Sequence, residues 1–438
     1  MSWLARFALL LCIGLSAVAM VACAGRNATP PRYKPVAELD RCRPGECVAA
    51  ELGFRRWANA EHFRGRMPYH CDAGSELDGP PDPQVTRMIF VVHGVVGPSA
   101  AQLERLREPP GLYQLRGVAN ALARAQRLDP NLDPDSIAIV APTFQRTHGW
   151  QPYTDEDKRA WTWSGSTYNT GTQAAPRESG VGFVKADAVS SFDVIDEFLR
   201  AALVKFPKLE SVVIVGHSAG GQTVHRYALL GTGVHEHLEQ EGIHVRYIPA
   251  NPGLYAFPMM TRKLPPGQAS VRPGVGRGDT HDWRWAAPRG CKGYDEWGYG
   301  LGGLNRVAAD RATRAADYAI ARYLRPIDRK LARQAQHNPG SATWAKAARA
   351  ALRLQYASRE IWHIQAANDH EDTFGTNCRA TVQGRSRFER FSNFQQAWTQ
   401  LVGIPAPNLH FIALEGASHP HSSRVVYASD AGVHLLFY

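Results

Sequence analysis

Residues 211–221 read Ser-Val-Val-Ile-Val-Gly-His-Ser-Ala-Gly-Gly. A serine hydroxyl does not ionise by itself near neutral pH, so it becomes a nucleophile only with a base beside it and an acid to orient that base. The spacing Gly216-x-Ser218-x-Gly220 lies between a β-branched run and a helical pattern. That is the sequence of a nucleophile elbow, in which small residues permit a tight turn that lifts the hydroxyl off a sheet. A glycine-rich strand–helix turn around a buried serine would show the same letters. The strand before and the helix after favour Ser218 as the attacking group.

The partners should follow in chain order, acid and then histidine, at the ends of later strands. The last apolar run is followed by Glu415-Gly416-Ala417-Ser418-His419, which makes His419 the expected base, with His421 as its competitor. The run before it ends in Ala367-Asn368-Asp369-His370-Glu371-Asp372. Asp369 is the expected acid and Asp372 the next choice. These carboxylates are scattered rather than spaced as metal ligands, and no cofactor motif is present, so neither metal nor cofactor is expected. An oxyanion hole needs two backbone N–H groups aimed at the developing alkoxide. Ala219, directly after the serine, should supply one and Val95, in His93-Gly94-Val95-Val96-Gly97, the other. His93 itself reads as a histidine that bonds its own loop.

Short apolar runs alternate with helical patterns from about residue 85, which predicts a mostly parallel sheet covered by helices. Strands are expected over Arg87–His93, Ser136–Pro142, Ser211–His217, His244–Ala250, Glu360–Ala366 and Leu409–Leu414, and near-continuous apolarity fits burial on both faces. Helices are expected over Ser190–Lys205, Thr223–Leu230, Phe388–Leu401 and Ser423–Leu436. The stretch Asn251–Arg359 is too long for a simple connection. It carries a Pro/Gly-rich loop (Lys263–Gly278), an aromatic loop (His281–Tyr299) and Ala/Arg-rich helical segments (Val307–Tyr323, Thr343–Tyr356), and reads as a cap over a site. Trp150, Trp161, Trp163, Trp283, Trp285 and Trp297 fall in loops at the strand C-terminal ends, where ligands bind in open α/β sheets. Trp163, Trp285 and Trp297 are the substrate-binding choices, with packing of the cap as the other reading.

The 438 residues include 50 Lys+Arg against 40 Asp+Glu, a net charge of +10, yet the basic residues form no run and no zinc-finger or RRM signature accompanies them, so nucleic acid is not the expected partner. Residues 1–23 have a basic start, an apolar stretch and small residues at the exit, the pattern of an export signal. Cys23 follows a small residue, as in a lipoprotein signal whose cysteine is acylated; plain secretion and an uncleaved anchor are the alternatives. All three place the folded part outside the cytoplasm, as a cell-surface or outer-membrane lipoprotein or a secreted or periplasmic protein. Cys42, Cys47, Cys71, Cys291 and Cys378 form no Cys-x-x-Cys pair, and disulfides are expected in an oxidising compartment.

Taken together these residues resemble an α/β-hydrolase. The stretch Ser190–Gly231 is similar to a family of secreted α/β-hydrolases found in bacteria, fungi and plants. So are Asn251-Pro252, CKGYDEWGYGL at Cys291–Leu301 and CRATVQGRSRFERF at Cys378–Phe391. The resemblance implies an α/β fold with a mostly parallel sheet, flanking helices and a cap, and a Ser218–His419–Asp369 triad. The family's Gly-x-x-Asp context maps onto Asp369, with Ala366 standing at the glycine position. The resemblance also implies a Cys291–Cys378 disulfide. The organisation expected is a signal over residues 1–23, a tether and extension over 24–84, and an α/β domain over 85–438 with a cap at about 252–358. The function expected is hydrolysis of small-molecule or polymeric carboxylic esters. An amidase, peptidase or acyltransferase with the same triad, or a surface-anchored binding protein, are the alternatives.

Overall fold

The computed structural model describes residues 49–54, 65–72, 74–95, 110–146, 161–174, 177–179, 182–184, 189–231, 233–264, 284–302, 323–324, 327, 342–371, 377–419 and 422–438. The export signal with Cys23, the first part of the tether and extension (residues 24–48, with Cys42 and Cys47), Trp150, Trp283, Asp372 and His421 lie outside these residues. So does almost all of the segment Val307–Tyr323 and most of the loop Lys263–Gly278.

Eight strands form one sheet: β1 (Ala49–Phe54), β2 (Gly65–Cys71), β3 (Arg87–Val92), β4 (Ile137–Pro142), β5 (Ser211–His217), β6 (His244–Ala250), β7 (Glu360–Ala366) and β8 (Leu409–Leu414). Their order across the sheet is β1-β2-β4-β3-β5-β6-β7-β8. β1 and β2 pair antiparallel, as do β2 and β4. All pairs from β4 to β8 are parallel. This order and these directions make the chain an α/β-hydrolase fold. The chain steps from β3 outward to β4 and then back past β3 to β5. The carboxyl ends of β3 and β5 therefore flank the topological switch point, where open α/β sheets place their ligands.

The central strands are near-continuous apolar runs because both faces are covered. Met88 to Val92 of β3 and Val212 to Val215 of β5 are fully or almost fully buried. The covering helices are α1 (Pro110–Leu128), α2 (Ser191–Lys205), α3 (Ala219–Leu230), α4 (Gly233–Gln240), α5 (Ala342–Ser358), α6 (Arg387–Gln396), α7 (Ser422–Ala428) and α8 (Asp430–Phe437). Local chemistry sets their starts. Ser190 caps α2 with Oγ accepting from Phe192 and Asp193 N–H, while Asp193 Oδ2 accepts from Ser190 N–H, a reciprocal capping box. α6 runs on into a wider turn over Ala397–Leu401. The single helix expected over Ser423–Leu436 is two, because Ser429 Oγ accepts from Gly432 N–H and starts α8 afresh.

Two domain boundaries differ from expectation. The sheet begins within the expected extension, since β2 pairs with β4 and buries Met67, Tyr69 and Cys71 in the core. Nor is the expected cap a separate layer throughout. α5 buries Trp344, Ala348, Leu352 and Tyr356 in the main core. Its Gln355 Nε2 donates to Leu229 O on α3. α5 is the helix that brings the chain from β6 to β7. The Cys291–Cys378 disulfide ties the segment 284–302 to the residues after β7, with Cα atoms 5.8 Å apart.

Buried guanidinium groups rivet these loops. Arg226 of α3 donates to Asn169 O and Gly298 O, and so clamps two separate loops onto the elbow helix. Arg262 donates to Tyr294 O and Tyr299 O and pairs with Asp295. Arg390 donates to the carbonyls of Ala380, Gly384 and Gly253.

Trp163, one of the substrate-binding choices, is packed into the core. It is fully buried, its Nε1–H donates to Thr172 O at 3.1 Å, and its ring meets the edge of Phe144. An indole with its apolar body in the core and its one donor satisfied is packing. Trp163→Ala is expected to destabilise the fold by about 3 to 5 kcal/mol, read as a lowered urea midpoint, without changing KM of any substrate the folded fraction turns over.

Candidate functional site

Ser218 sits between β5 and α3 with φ 57° and ψ −115°. A left-handed φ at a residue with a side chain stores about 1 to 3 kcal/mol and persists only where its surroundings enforce it. Those surroundings are visible at the flanking glycines. A Cβ on Gly216 would stand 2.5 Å from Gly220 C and O, and one on Gly220 would stand 2.0 Å from Val92 O. Backbones of β3, β5 and α3 thus meet with no side chain between them, and the turn has no room to relax. Ser218 N–H donates to Ala250 O at 2.9 Å, which pins the elbow to β6.

Ala219 is the first residue of α3, so no intrahelical acceptor exists for its N–H. Gly94 lies against the elbow, where a Cβ would stand 3.0 Å from His217 O and 3.2 Å from Ser218 Cβ. Val95, the next residue, is 38% exposed. The loop is held by His93, as the sequence suggested. Its Nδ1–H donates to Gly94 O at 2.7 Å, its Nε2 accepts Phe144 N–H at 2.8 Å, and its carbonyl accepts Tyr168 Oη–H at 3.1 Å. Burial pushes this imidazole down to about 4, so it stays neutral.

Asp369 and His419 come together from the turns after β7 and β8. Those turns are stitched by Ala367 N–H to Leu414 O and by Asn368 N–H to Ala417 O. His419 Nδ1 meets Asp369 Oδ2 at 3.0 Å, leaving Nε2 as the ring's far nitrogen. The His419 ring lies 5.1 Å from that of His217, the residue before Ser218, which sets it beside the elbow. Burial pushes the Asp369 carboxyl up. The hydrogen bond from His419 and the charge of Arg387 outweigh it and hold the group below the usual aspartate range.

Arg387, at the start of α6, was not singled out in the sequence. Its NH1 meets Asp369 Oδ1 at 3.2 Å, and Gln365 Nε2 donates to Oδ2 at 3.3 Å. Nothing in Arg-Ser-Arg-Phe-Glu-Arg-Phe sets it apart from the arginines on either side, and the fold turns it onto a carboxylate. Because Asp369 is held low in the folded state, its stabilising contribution is complete above the unfolded aspartate range and is lost as pH falls through the folded value. Arg387→Met should move that loss to higher pH and, at neutral pH, lower stability by about 3 to 5 kcal/mol, since it leaves a buried carboxylate short of its cation. Urea midpoints measured against pH for both proteins check this.

Trp285 and Trp297 are partly buried and rest against the core, and Trp297 Nε1–H donates to Thr170 O at 2.8 Å. Among the described residues no group of three or more His, Cys, Asp or Glu side chains could hold a metal ion.

No family model and no curated protein matches the chain. Among solved structures it is similar to LpqC, a poly(3-hydroxybutyrate) depolymerase from Bordetella parapertussis, with 16% identity over 87% of this chain and 86% of that one and a TM-score of 0.41. It is also similar to poly(aspartic acid) hydrolase-1 from Sphingomonas sp. KT-1, with 17% identity over 91% and 100% and a TM-score of 0.40. A third is the feruloyl esterase module from Clostridium thermocellum, with 10% identity over 95% and 97% and a TM-score of 0.36. The fold assignment itself rests on the strand order and directions of this chain.

Proposed function

We propose that the protein is an extracytoplasmic serine hydrolase that cleaves carboxylic esters through an acyl-enzyme. The observation that carries the reading is the convergence of a strained serine with a hydrogen-bonded Asp369–His419 pair whose histidine lies beside the elbow. Ser218 Oγ attacks the acyl carbonyl carbon while His419 Nε2 takes its proton. The alkoxide of the tetrahedral intermediate lies against the N–H groups of Ala219 and Val95. His419 then returns the proton to the leaving alcohol oxygen as the C–O bond breaks. Water repeats the sequence on the acyl-enzyme and frees the acid and Ser218. Asp369 holds the imidazole by Nδ1–H and offsets the charge it gains.

The substrate is a small or polymeric ester, with Trp285 and Trp297 near its binding cleft. The Ser190–Gly231 and Cys291–Leu301 stretches support membership of the secreted family they resemble, and the N-terminal signal supports export with Cys23 as the lipid-bearing residue. A fluorophosphonate probe on the purified protein tests the chemistry. The expected adduct is on Ser218, found by mass spectrometry and absent in Ser218→Ala and His419→Ala. A folded wild-type protein that takes no label overturns the reading. Cleavage of amides in preference to matched esters would replace esterase with amidase.

A further inference from the structure

His217 and Asn251 enter none of the steps above, yet they are built into the site as tightly as the reacting groups. Asn251 directly follows β6, is fully buried, and has φ 45°, a left-handed conformation that asparagine tolerates better than most residues. Its N–H donates to Ile364 O at 2.8 Å. Its side-chain Oδ1 accepts Ala366 N–H at 2.6 Å, and its Nδ2 faces His217 Nε2 at 3.1 Å.

These contacts determine where the protons are. A backbone N–H can only donate, so the amide end facing Ala366 is the oxygen and the end facing His217 is the NH₂ group. An amide nitrogen is a donor with no acceptor capacity. His217 Nε2 must therefore present its lone pair, and the neutral ring carries its hydrogen on Nδ1. A proton on Nε2 would set one N–H against another. The same ring lies 5.1 Å from His419, at an angle of 33°. Among the described residues, His419 and Arg387 are charged or titratable groups that bear on His217, with Asp369 reached through His419. Burial first, then the neighbouring His419 and Arg387, push its basicity down.

We propose, resting on the hydrolase reading, that Asn251 is a positioning residue. Its amide locks His217 as the uncharged Nδ1–H tautomer beside His419, so that the general base becomes an imidazolium next to a neutral ring rather than next to a second cation. Asn251 also binds β7 through Ala366, three residues before Asp369. One side chain thus keeps in register the strand that leads to the serine and the strand that leads to the acid.

Asn251→Asp is the informative change. It keeps the shape and the acceptor for Ala366, but puts an acceptor where the amide donated, so His217 gains a proton on Nε2. The expected result is a fall in kcat of about 10- to 100-fold near neutral pH with KM within about twofold. The acid limb of the kcat/KM profile should move about one unit or more upward, activity recovering as His217 deprotonates. Adding His217→Phe, which keeps a ring but removes Nε2, should return the limb to its wild-type position. In the wild-type protein, ¹⁵N resonances of labelled histidine should show His217 protonated at Nδ1 alone. A His217 hydrogen on Nε2 in the wild type overturns the lock whatever the activity. A labelled, active wild type whose Asn251→Asp variant loses rate equally at every pH overturns the positioning role alone, as does a shift that persists without His217. A wild type that takes no fluorophosphonate overturns the hydrolase reading, and this role falls with it.

Discussion

Ser218→Ala and His419→Ala are each expected to lower kcat by roughly 10⁵-fold or more, and the double variant should be no slower than the worse single one. The serine is not a nucleophile without the base, and the base has no proton to take without the serine, so removing either removes both. What survives should be the contribution of the backbone N–H groups of Ala219 and Val95 and of binding. The backbone at position 218 adds a second, opposite expectation. Glycine adopts φ 57° without the strain a side chain incurs, so Ser218→Gly should abolish turnover and raise stability by about 1 kcal/mol. Rate constants on an activated ester, with thermal midpoints of the same preparations, check both. Additive losses in the double variant would show that the two residues do not act as a unit.

Gly220→Ala is expected to prevent folding or to destabilise the protein by more than about 4 kcal/mol, the exceptional end of single substitutions. The added Cβ would fall 2.0 Å from Val92 O and 2.7 Å from His93 O, both backbone atoms of β3 and its following loop. Neither can retreat without breaking the β3–β5 ladder. Gly233→Ala, at the first residue of α4 where nothing lies within 4 Å, is the control. It should be neutral or stabilising by up to about 1 kcal/mol. Soluble yield and urea midpoints decide, and a stable Gly220→Ala protein would mean that α3 does not sit so close to β3.

How much of this was legible in the sequence follows from the range of the interactions. Strands β3 to β8 could be read to within a residue or two: burial on both faces gives β3, β4 and β5 nearly uninterrupted apolar runs, while β6 to β8 are short β-branched and aromatic runs bounded by polar residues. β2 escaped because its apolar residues Met67, Tyr69 and Cys71 alternate with Pro68 and His70, and a proline argues against a strand. α1 escaped because Pro109-Pro110-Gly111 reads as a turn. Here the glycine serves close packing, since a Cβ would meet Thr143 Oγ1 at 2.5 Å. In the site, Ser218 was legible because an elbow is a local object, and the turns carrying Asp369 and His419 because each follows a strand. Asn251 and Arg387 act on neighbours brought by other strands, and their letters carry no sign of those partners, whereas Gln365 reaches Asp369 only four residues on, in the turn that follows its own strand. The tryptophans stayed ambiguous because an indole looks the same in sequence whether its ring lines a cleft or fills a core, as that of Trp163 does.

The buried arginines bear on what the chain's basicity means. Arg226, Arg262, Arg359 and Arg390 are at most 2% exposed, and their donors reach carbonyl oxygens of their own chain. A guanidinium so engaged cannot also grip a phosphate or a lipid headgroup. Because most of its acceptors are uncharged, ions in solution have little to screen. Part of the excess that the sequence shows as positive charge is therefore interior mortar. Any attraction this protein exerts on an anionic surface has to come from the cations that remain outside.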